Sequence, residues 1–227
     1  VLAEPAPHGT ILAMHHPPIP VPMLPPAQII ELDGALLAPG FIDAHMHVES
    51  TMLTPRSFAV LARACGTTAA VLDPHEIANV LGIAGIELLM EDARCAAIDC
   101  FFTASSCVPA SPLETAGASL SARDLAPLFD NDRIIALAEV MNYPGVVAAN
   151  PDVLEKVELG LERAIVDGHA PGLVGAALGA YVAAGITSDH ECTSGEEAAQ
   201  KLALGMRIFI REGSAARNLD ALLGQVT

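Results

Sequence analysis

From about residue 33 onwards, the sequence alternates regularly between short β-rich runs and amphipathic helical runs. This alternation constrains the fold strongly, because strands that are separated by helices pair in parallel beneath those helices. It predicts either an open doubly wound sheet or a (β/α)8 barrel. The predicted strands cover residues 37–47, 67–73, 100–105, 134–141, 164–167, 185–189 and 207–211.

Several of the intervening helices have recognisable ends. Thr54 is the predicted N-cap of a helix that begins at Pro55, a position at which proline is favoured. Thr193 and Glu196 have the spacing of a capping box. Two further helices are predicted over residues 84–97 and 152–164.

Polar, reactive side chains follow strand after strand at the point where each strand ends. In a barrel the C-terminal ends of all strands meet at one mouth, so this placement favours the barrel over the open sheet. We therefore predict an α/β fold, an incomplete (β/α)8 TIM-type barrel with about seven strands, in a sequence that ends before an eighth. The strand-end residues are His45 and His47, Asp73 and His75, Glu139, His169, Asp189 and His190, and Arg211 and Glu212.

The charge of the chain excludes several classes of partner. Its 11 Lys and Arg residues against 27 Asp and Glu residues give a formal net charge of −16, whereas binding to nucleic acid or to anionic membranes needs clustered cations. No apolar run reaches the ~18 residues of a membrane helix. The five cysteines, without paired spacing, favour reduced thiols in the cytoplasm. We expect a small-molecule substrate, no nucleic-acid partner and no membrane partner, and a homo-oligomer is compatible with these features.

Residues 1–32 differ in composition from the rest of the chain, because eight prolines crowd them. A short strand is predicted over residues 10–14 and would be stopped by Pro17 and Pro18. The string HGTILAMHHPPIP resembles a strand of calcineurin-like cyclic-nucleotide phosphodiesterases, which implies a metal-ligand role for His15, but the other motifs of that class do not accompany it. We predict a Pro-rich remnant at 1–32, or a chance leader, joined to a barrel domain at 33–227.

Four histidines and one glutamate form the candidate metal site. His45 and His47 lie two apart at a strand end, so both imidazoles point to the same side. Glu139 ends a buried apolar strand in a chain with few cations to neutralise it. With His169 and His190, these residues are a set sized for two divalent metals. The alternatives are solvent-facing or hydrogen-bonded histidines and a salt-bridged strand end.

Six blocks of the sequence resemble the adenine deaminase family of the amidohydrolase superfamily: PGFIDAHMHVESTMLTP, DPHEIANVLGIAGIELLM, AEVMNYPGV, DGHAPGL, SDHECTS and IREGSAARNL. The resemblance implies a metal-dependent hydrolase with a (β/α)8 barrel and a binuclear centre. It also implies that Glu139 bridges the metals where other members use a carbamylated lysine. The implied reaction converts adenine and water to hypoxanthine and ammonia in purine salvage. The implied metal is manganese or iron, although these ligands would equally allow zinc.

The implied chemistry needs a nucleophile and a proton donor. A hydroxide held by the metals is available at neutral pH because the cations lower the pKa of water to about 7. The departing ammonia needs a proton, which the superfamily takes from an aspartate of the eighth strand. That strand lies beyond this sequence, so the activity of a chain without it is left open. Asp189, Glu191 and Glu76 are the next candidates.

The remaining candidate residues have weaker signals. Asp189 and Glu191 flank His190, and one of them is expected to orient a ligand or to contact the substrate. Glu212, Gly213 and Ser214 form a small turn that would let a flat base approach the backbone. Asp73, His75 and Glu76 would line the mouth, hold an extra metal or only make turn hydrogen bonds. The competing functions are a non-catalytic chain that binds metal or base, and a metallophosphoesterase.

Overall fold

The computed structural model describes residues 32–111 and 113–226, together with the short strands β1 (Leu2–Ala3) and β2 (Ile11–Ala13). The chain divides into two compact units, Val1–Pro39 and Gly40–Thr227. In the first unit, β1 and β2 pair antiparallel in a sheet of their own, and β2 lies within the strand predicted over 10–14. His15 lies outside the described residues, so its role and the boundary at residue 32 stay predictions.

The second unit contains a five-stranded parallel sheet that curls as part of a barrel. Its strand order follows the chain, as expected when each strand is connected to the next through a helix. The strands are β3 (Phe41–Met46), β4 (Thr67–Leu72), β5 (Asp99–Ala104), β6 (Ile134–Val140) and β7 (Ile165–Gly168). The predicted incomplete barrel is confirmed.

Two further strands, β8 (Ser188–Asp189) and β9 (Arg207–Ile208), pair with each other in parallel. They are shorter than the strands predicted over 185–189 and 207–211. Gly185 has a φ of +97° and donates its N–H to Val182 in the turn that ends the preceding helix, so it cannot begin a strand. After β9 the chain turns back on itself through a bridge between Glu212 and Arg217.

Nine helices lie in the described part of the second unit, and most of them connect successive strands. Three short 3₁₀ helices accompany them at Glu49–Thr51, Ala126–Asp130 and Leu223–Gln225. The helices are α1 (Pro55–Ala64), α2 (His75–Leu81), α3 (Ile83–Ala93), α4 (Ala122–Leu125), α5 (Tyr143–Val147), α6 (Pro151–Arg163), α7 (Gly175–Ala183), α8 (Gly195–Ala203) and α9 (Leu219–Leu222).

The predicted helix ends are right at α1 and wrong at α8. Thr54 is the N-cap of α1 and Pro55 is its first residue. The capping box predicted for Thr193 and Glu196 is displaced by one residue, because Ser194 is the N-cap and its hydroxyl accepts the N–H of Glu197. The helix predicted over 84–97 is α3, which ends at Ala93.

Helix α6 packs closely on the strand that carries Glu139. Leu137 of β6 and Val166 of β7 are almost fully buried beneath it. A Cβ atom at Gly160 would lie 2.7 Å from the Leu137 Cβ and 2.9 Å from a Val166 methyl group. The absence of a side chain at Gly160 therefore sets the distance between α6 and the sheet.

We predict that Gly160→Ala lowers the free energy of unfolding by about 1–3 kcal/mol, because the added methyl group overpacks the interface between α6 and the sheet. Gly179→Ala in α7 is the matched control, since a Cβ atom there meets nothing within 4 Å. The control should stabilise the protein by about 0.5–1 kcal/mol through helix propensity. Urea-induced unfolding measures both variants, and equal effects would contradict this account of the packing.

Candidate metal centre

The five predicted metal ligands meet at the C-terminal ends of the strands, around the carboxylate of Glu139. His169 Nδ1 lies 2.6 Å and His190 Nε2 lies 2.7 Å from Glu139 Oε2. His47 Nε2 lies 3.4 Å from Glu139 Oε1, and His45 Nε2 lies 4.0 Å from Oε2. The structure thus gathers residues that are up to 145 positions apart, from His45 to His190, around one side chain.

Glu139 is buried, with only 2% of its surface exposed. Burial raises the pKa of a carboxyl group, but the hydrogen bonds from His169 and His190 outweigh burial here, so the pKa of Glu139 is held far below its usual range. The side chain is therefore a carboxylate, which can only accept hydrogen bonds or bind cations.

Asp167 orients His45, and the sequence analysis missed it. Its Oδ2 lies 2.9 Å from His45 Nδ1, while its Oδ1 accepts the Ser188 hydroxyl at 2.5 Å. Burial lowers the pKa of His45, but the hydrogen bond and the charge of Asp167 outweigh it and leave the pKa raised. The feature of the sequence that points to Asp167 is its position, because it lies in β7, two residues before His169.

The ends of β7 and β8 approach each other too closely for a side chain at Gly168. A Cβ atom there would lie 2.1 Å from the Ser188 carbonyl oxygen. Next to this contact, the buried Tyr181 hydroxyl accepts the N–H of His169 at 2.9 Å and donates to the Val140 carbonyl at 2.9 Å. Gly168 and Tyr181 thereby fix the position of the backbone at His169.

Asp73 and His75, which had no settled role in the sequence, both belong to the cluster. His75 Nδ1 lies 3.2 Å from Asp73 Oδ2 and 3.5 Å from Glu139 Oε1. Asp73 is buried and also accepts the Ser105 hydroxyl. Glu76, in contrast, accepts the hydroxyl of Ser50 at 2.6 Å.

The two candidates that flank His190 have different surroundings. Glu191 Oε1 lies 3.7 Å from His190 Nε2 and 3.8 Å from His169 Nδ1, and it forms an ion pair with Arg211. Asp189 is fully buried and forms an ion pair with Lys201. Of the two, only Glu191 lies against the histidines.

The predicted substrate-binding turn follows β9. Glu212, Gly213 and Ser214 are exposed, and Glu212 accepts the N–H of Leu219 at 3.1 Å. Within residues 32–111 and 113–226, no hydrogen bond or ion pair joins these three residues to the cluster around Glu139. An antiparallel bridge between Glu212 and Arg217 closes this turn. Their substrate contacts stay a prediction.

The chemistry of these donors fits divalent cations. His45 Nε2 and His190 Nδ1 are buried, and neither atom has a hydrogen-bond partner in the described part of the chain. A buried polar atom without a partner is rare and needs an explanation. Three sets of side chains in this cluster bring their donor atoms within 4.8 Å of one another: His45, His47, Asp73 and Glu139; His45, Asp167 and His190; and Glu139, His169 and His190. Imidazoles and carboxylates suit zinc, manganese and iron.

Comparisons of the sequence with known proteins show which family it matches. The sequence profile of the Amidohydrolase family matches residues 36–216. An adenine deaminase of Desulfatibacillum aliphaticivorans is 52% identical over 199 residues, which are 87% of this chain and 35% of that protein. Adenine deaminases of Syntrophobacter fumaroxidans and Archaeoglobus fulgidus are 55% and 53% identical over 88% and 86% of this chain. The chain spans about a third of the length of these curated relatives.

The helices and the cysteines each add one observation. None of the helices in the described residues is long and apolar enough to cross a membrane. The five cysteines are free thiols.

The charge of His75 predicts a pH dependence of stability in the protein without metal. Burial lowers the pKa of His75, but the hydrogen bond and charge of Asp73 outweigh burial and raise this pKa to about 9. Because its ordinary pKa is about 6.5, the pair with Asp73 stabilises the fold fully below that pH. This stabilisation is lost as the pH rises through about 9.

We therefore expect the gap in free energy of unfolding between the wild type and His75→Gln to shrink by about 1–3 kcal/mol between pH ~6 and pH ~9.5. Urea-induced unfolding with a chelator present measures this gap. In an Asp73→Asn background the gap should change less with pH, because only the charges of Glu139 and Glu76 then raise the pKa of His75. A gap that is independent of pH in the wild-type background would contradict the assignment.

Proposed function

Because this chain belongs to the amidohydrolase family, we propose that it forms part of an enzyme that hydrolyses adenine to hypoxanthine and ammonia with the help of divalent metal. The observation that carries the proposal is the convergence of four histidines on the buried carboxylate of Glu139. The relatives named adenine deaminase supply the substrate, since their identity of 52–55% extends over most of this chain.

The proposed metal centre is binuclear and is held by five side chains. Bound divalent cations would supply Lewis acidity, which makes water nucleophilic near neutral pH. Manganese or iron is the proposed metal, and zinc is equally compatible with these donors. The ligands are His45, His47, Glu139, His169 and His190.

Glu139 acts in this proposal as the shared anionic ligand. Its carboxylate offers two oxygens, and the histidines divide between them, with His47 near Oε1 and with His169 and His190 near Oε2. A buried carboxylate needs compensating positive charge, which cations at this site provide. Asp167 holds the His45 ring by its Nδ1 atom, so that Nε2 is left for coordination.

Glu191 is the proposed proton carrier for the departing amine. Its carboxylate lies at the rim of the cluster, with 17% of the side chain exposed, and within 3.8 Å of two ligand histidines. Arg211 pairs with it and holds it in place. Such a group can take a proton from the attacking water and pass it to the departing amine as the C–N bond of adenine breaks.

The location and the substrate contacts belong to the same proposal. The free cysteines support the cytoplasm, where purine salvage would take place. Glu76, Glu212, Gly213 and Ser214 are the proposed contacts of the adenine ring.

The proposal predicts that the full-length protein loaded with Mn²⁺ releases ammonia from adenine. Glu139→Ala should reduce the rate by more than about 100-fold, since even the loss of a residue that only orients a ligand costs about 10–100-fold. Glu158→Ala, which removes an exposed glutamate of α6, is the matched control and should keep the wild-type rate. An ammonia assay with metal analysis measures both.

No release of ammonia by the metal-loaded wild type would overturn the proposed reaction. Equal rates for Glu139→Ala and Glu158→Ala would overturn the role of Glu139 in it.

A further inference from the structure

We propose that Lys201 and Glu197 of α8, together with Asp189, are positioning residues that hold the loops of His169 and His190 in register with each other. This inference rests on the metal-dependent function proposed above. Within residues 32–111 and 113–226, no side chain of this cluster forms a hydrogen bond or an ion pair with the side chain of a proposed metal ligand.

Lys201 is one of two lysines in the chain and is completely buried. Its ammonium group forms ion pairs with Asp189 and, at 2.6 Å, with Glu197 Oε1. It also donates to the Ala170 carbonyl at 2.7 Å. All three donor positions of the ammonium are thus used inside the protein.

The two carboxylates reach the backbone of both ligand loops. Asp189 Oδ1 accepts the N–H of Ala170 at 3.2 Å and that of Glu191 at 3.0 Å. Glu197 accepts the N–H of Gly172 at 2.8 Å through Oε1 and that of Thr193 at 3.3 Å through Oε2. One ion cluster therefore holds the chain just after His169 and on both sides of His190.

The position of Lys201 explains why this acidic cluster is not a second metal site. Asp189, Cys192 and Glu197 have the donor atoms and the spacing to hold a cation. The ammonium of Lys201 already lies between the two carboxylates and supplies the compensating charge. The cluster is a buried ion network, and its carboxylate oxygens also accept hydrogen bonds from backbone N–H groups.

The ion cluster therefore fixes the positions of two proposed ligands, His169 and His190, relative to each other. His169 and His190 approach the same oxygen, Glu139 Oε2, at 2.6 and 2.7 Å. Their loops follow different strands, β7 and β8, and the ion cluster joins the two loops beyond the strand ends. Residues that orient metal ligands typically affect metal affinity or activity by about 10–100-fold, so we expect an effect of that size here.

Glu197→Gln and Glu196→Gln give a matched pair of variants for the test. The two glutamates are neighbours in α8, but Glu197 is buried and Glu196 is exposed. A glutamine at 197 keeps the shape, removes the negative charge that pairs with Lys201 and turns one of the two acceptor oxygens into an NH₂ donor, so that either Thr193 or both Lys201 and Gly172 lose their acceptor. We expect Glu197→Gln to raise the dissociation constant for Mn²⁺ by about 10–100-fold, and Glu196→Gln to leave it unchanged.

Hydrogen exchange in the full-length protein without metal gives a second readout that does not depend on catalysis. Amide exchange should accelerate in Glu197→Gln within residues 170–173 and 189–193, and Glu196→Gln should exchange like the wild type. Lys201→Met should show the same changes, with Lys156→Met as its control because Lys156 donates to the Ser106 carbonyl instead. If Lys201→Met does not fold, amide exchange in Glu197→Gln alone tests the inference.

A merely structural role would lower the melting temperature of Glu197→Gln and leave its affinity for Mn²⁺, measured well below that temperature, equal to that of Glu196→Gln. That result would overturn the inference even if the wild type deaminates adenine. If the wild type binds Mn²⁺ without deaminating adenine and Glu197→Gln binds it more weakly, the inference holds and the proposed reaction fails.

Discussion

A carboxylate buried at the end of a strand must be paired with positive charge, and this requirement determines which side chains lie at the C-terminal ends of the strands. Glu139 is only 2% exposed, yet its pKa is held far below the usual range, so it remains charged. Imidazoles that follow four other strands approach it. Each of these strands therefore ends where it can present a histidine to Glu139, and the helices and loops keep those ends together. The packing of α6 through Gly160 sets the position of the strand that carries this carboxylate.

The balance of charge explains why the cluster is suited to divalent cations. Glu139, Asp73 and Asp167 are all buried within it, against histidines that are neutral unless a carboxylate raises their pKa. The proximity of Asp167, Asp73 and Glu139 raises the pKa of His45, His75 and His169 in spite of burial. In a chain with a formal net charge of −16, basic side chains are scarce. Lys201 and Arg211 are both used next to the cluster, where they neutralise Asp189 and Glu191.

The order of strands and the proposed ligands could be predicted from the sequence, because a polar residue that ends an apolar strand is visible as a local pattern. The roles of Lys201 and Glu197 could not. Four residues apart on an amphipathic helix, they read as an ordinary exposed ion pair, and only the fold shows that the loops after β7 and β8 cover them. For Glu212, Gly213 and Ser214 the sequence predicts a contact with the substrate, and the structure shows an exposed turn after β9, so that contact stays a prediction. Local sequence indicates where a strand ends, whereas long-range packing decides which side chains that end meets.

Anomalous diffraction from crystals of the full-length protein grown with Mn²⁺ tests the central claim most directly, because it locates the metal without reference to catalysis. The account predicts anomalous density within coordination distance of the Glu139 carboxylate, with His169 and His190 on one side and His45 and His47 on the other. Density that lies only elsewhere, with Glu139 bound to its histidines alone, would contradict the claim that this carboxylate is the centre of a metal site.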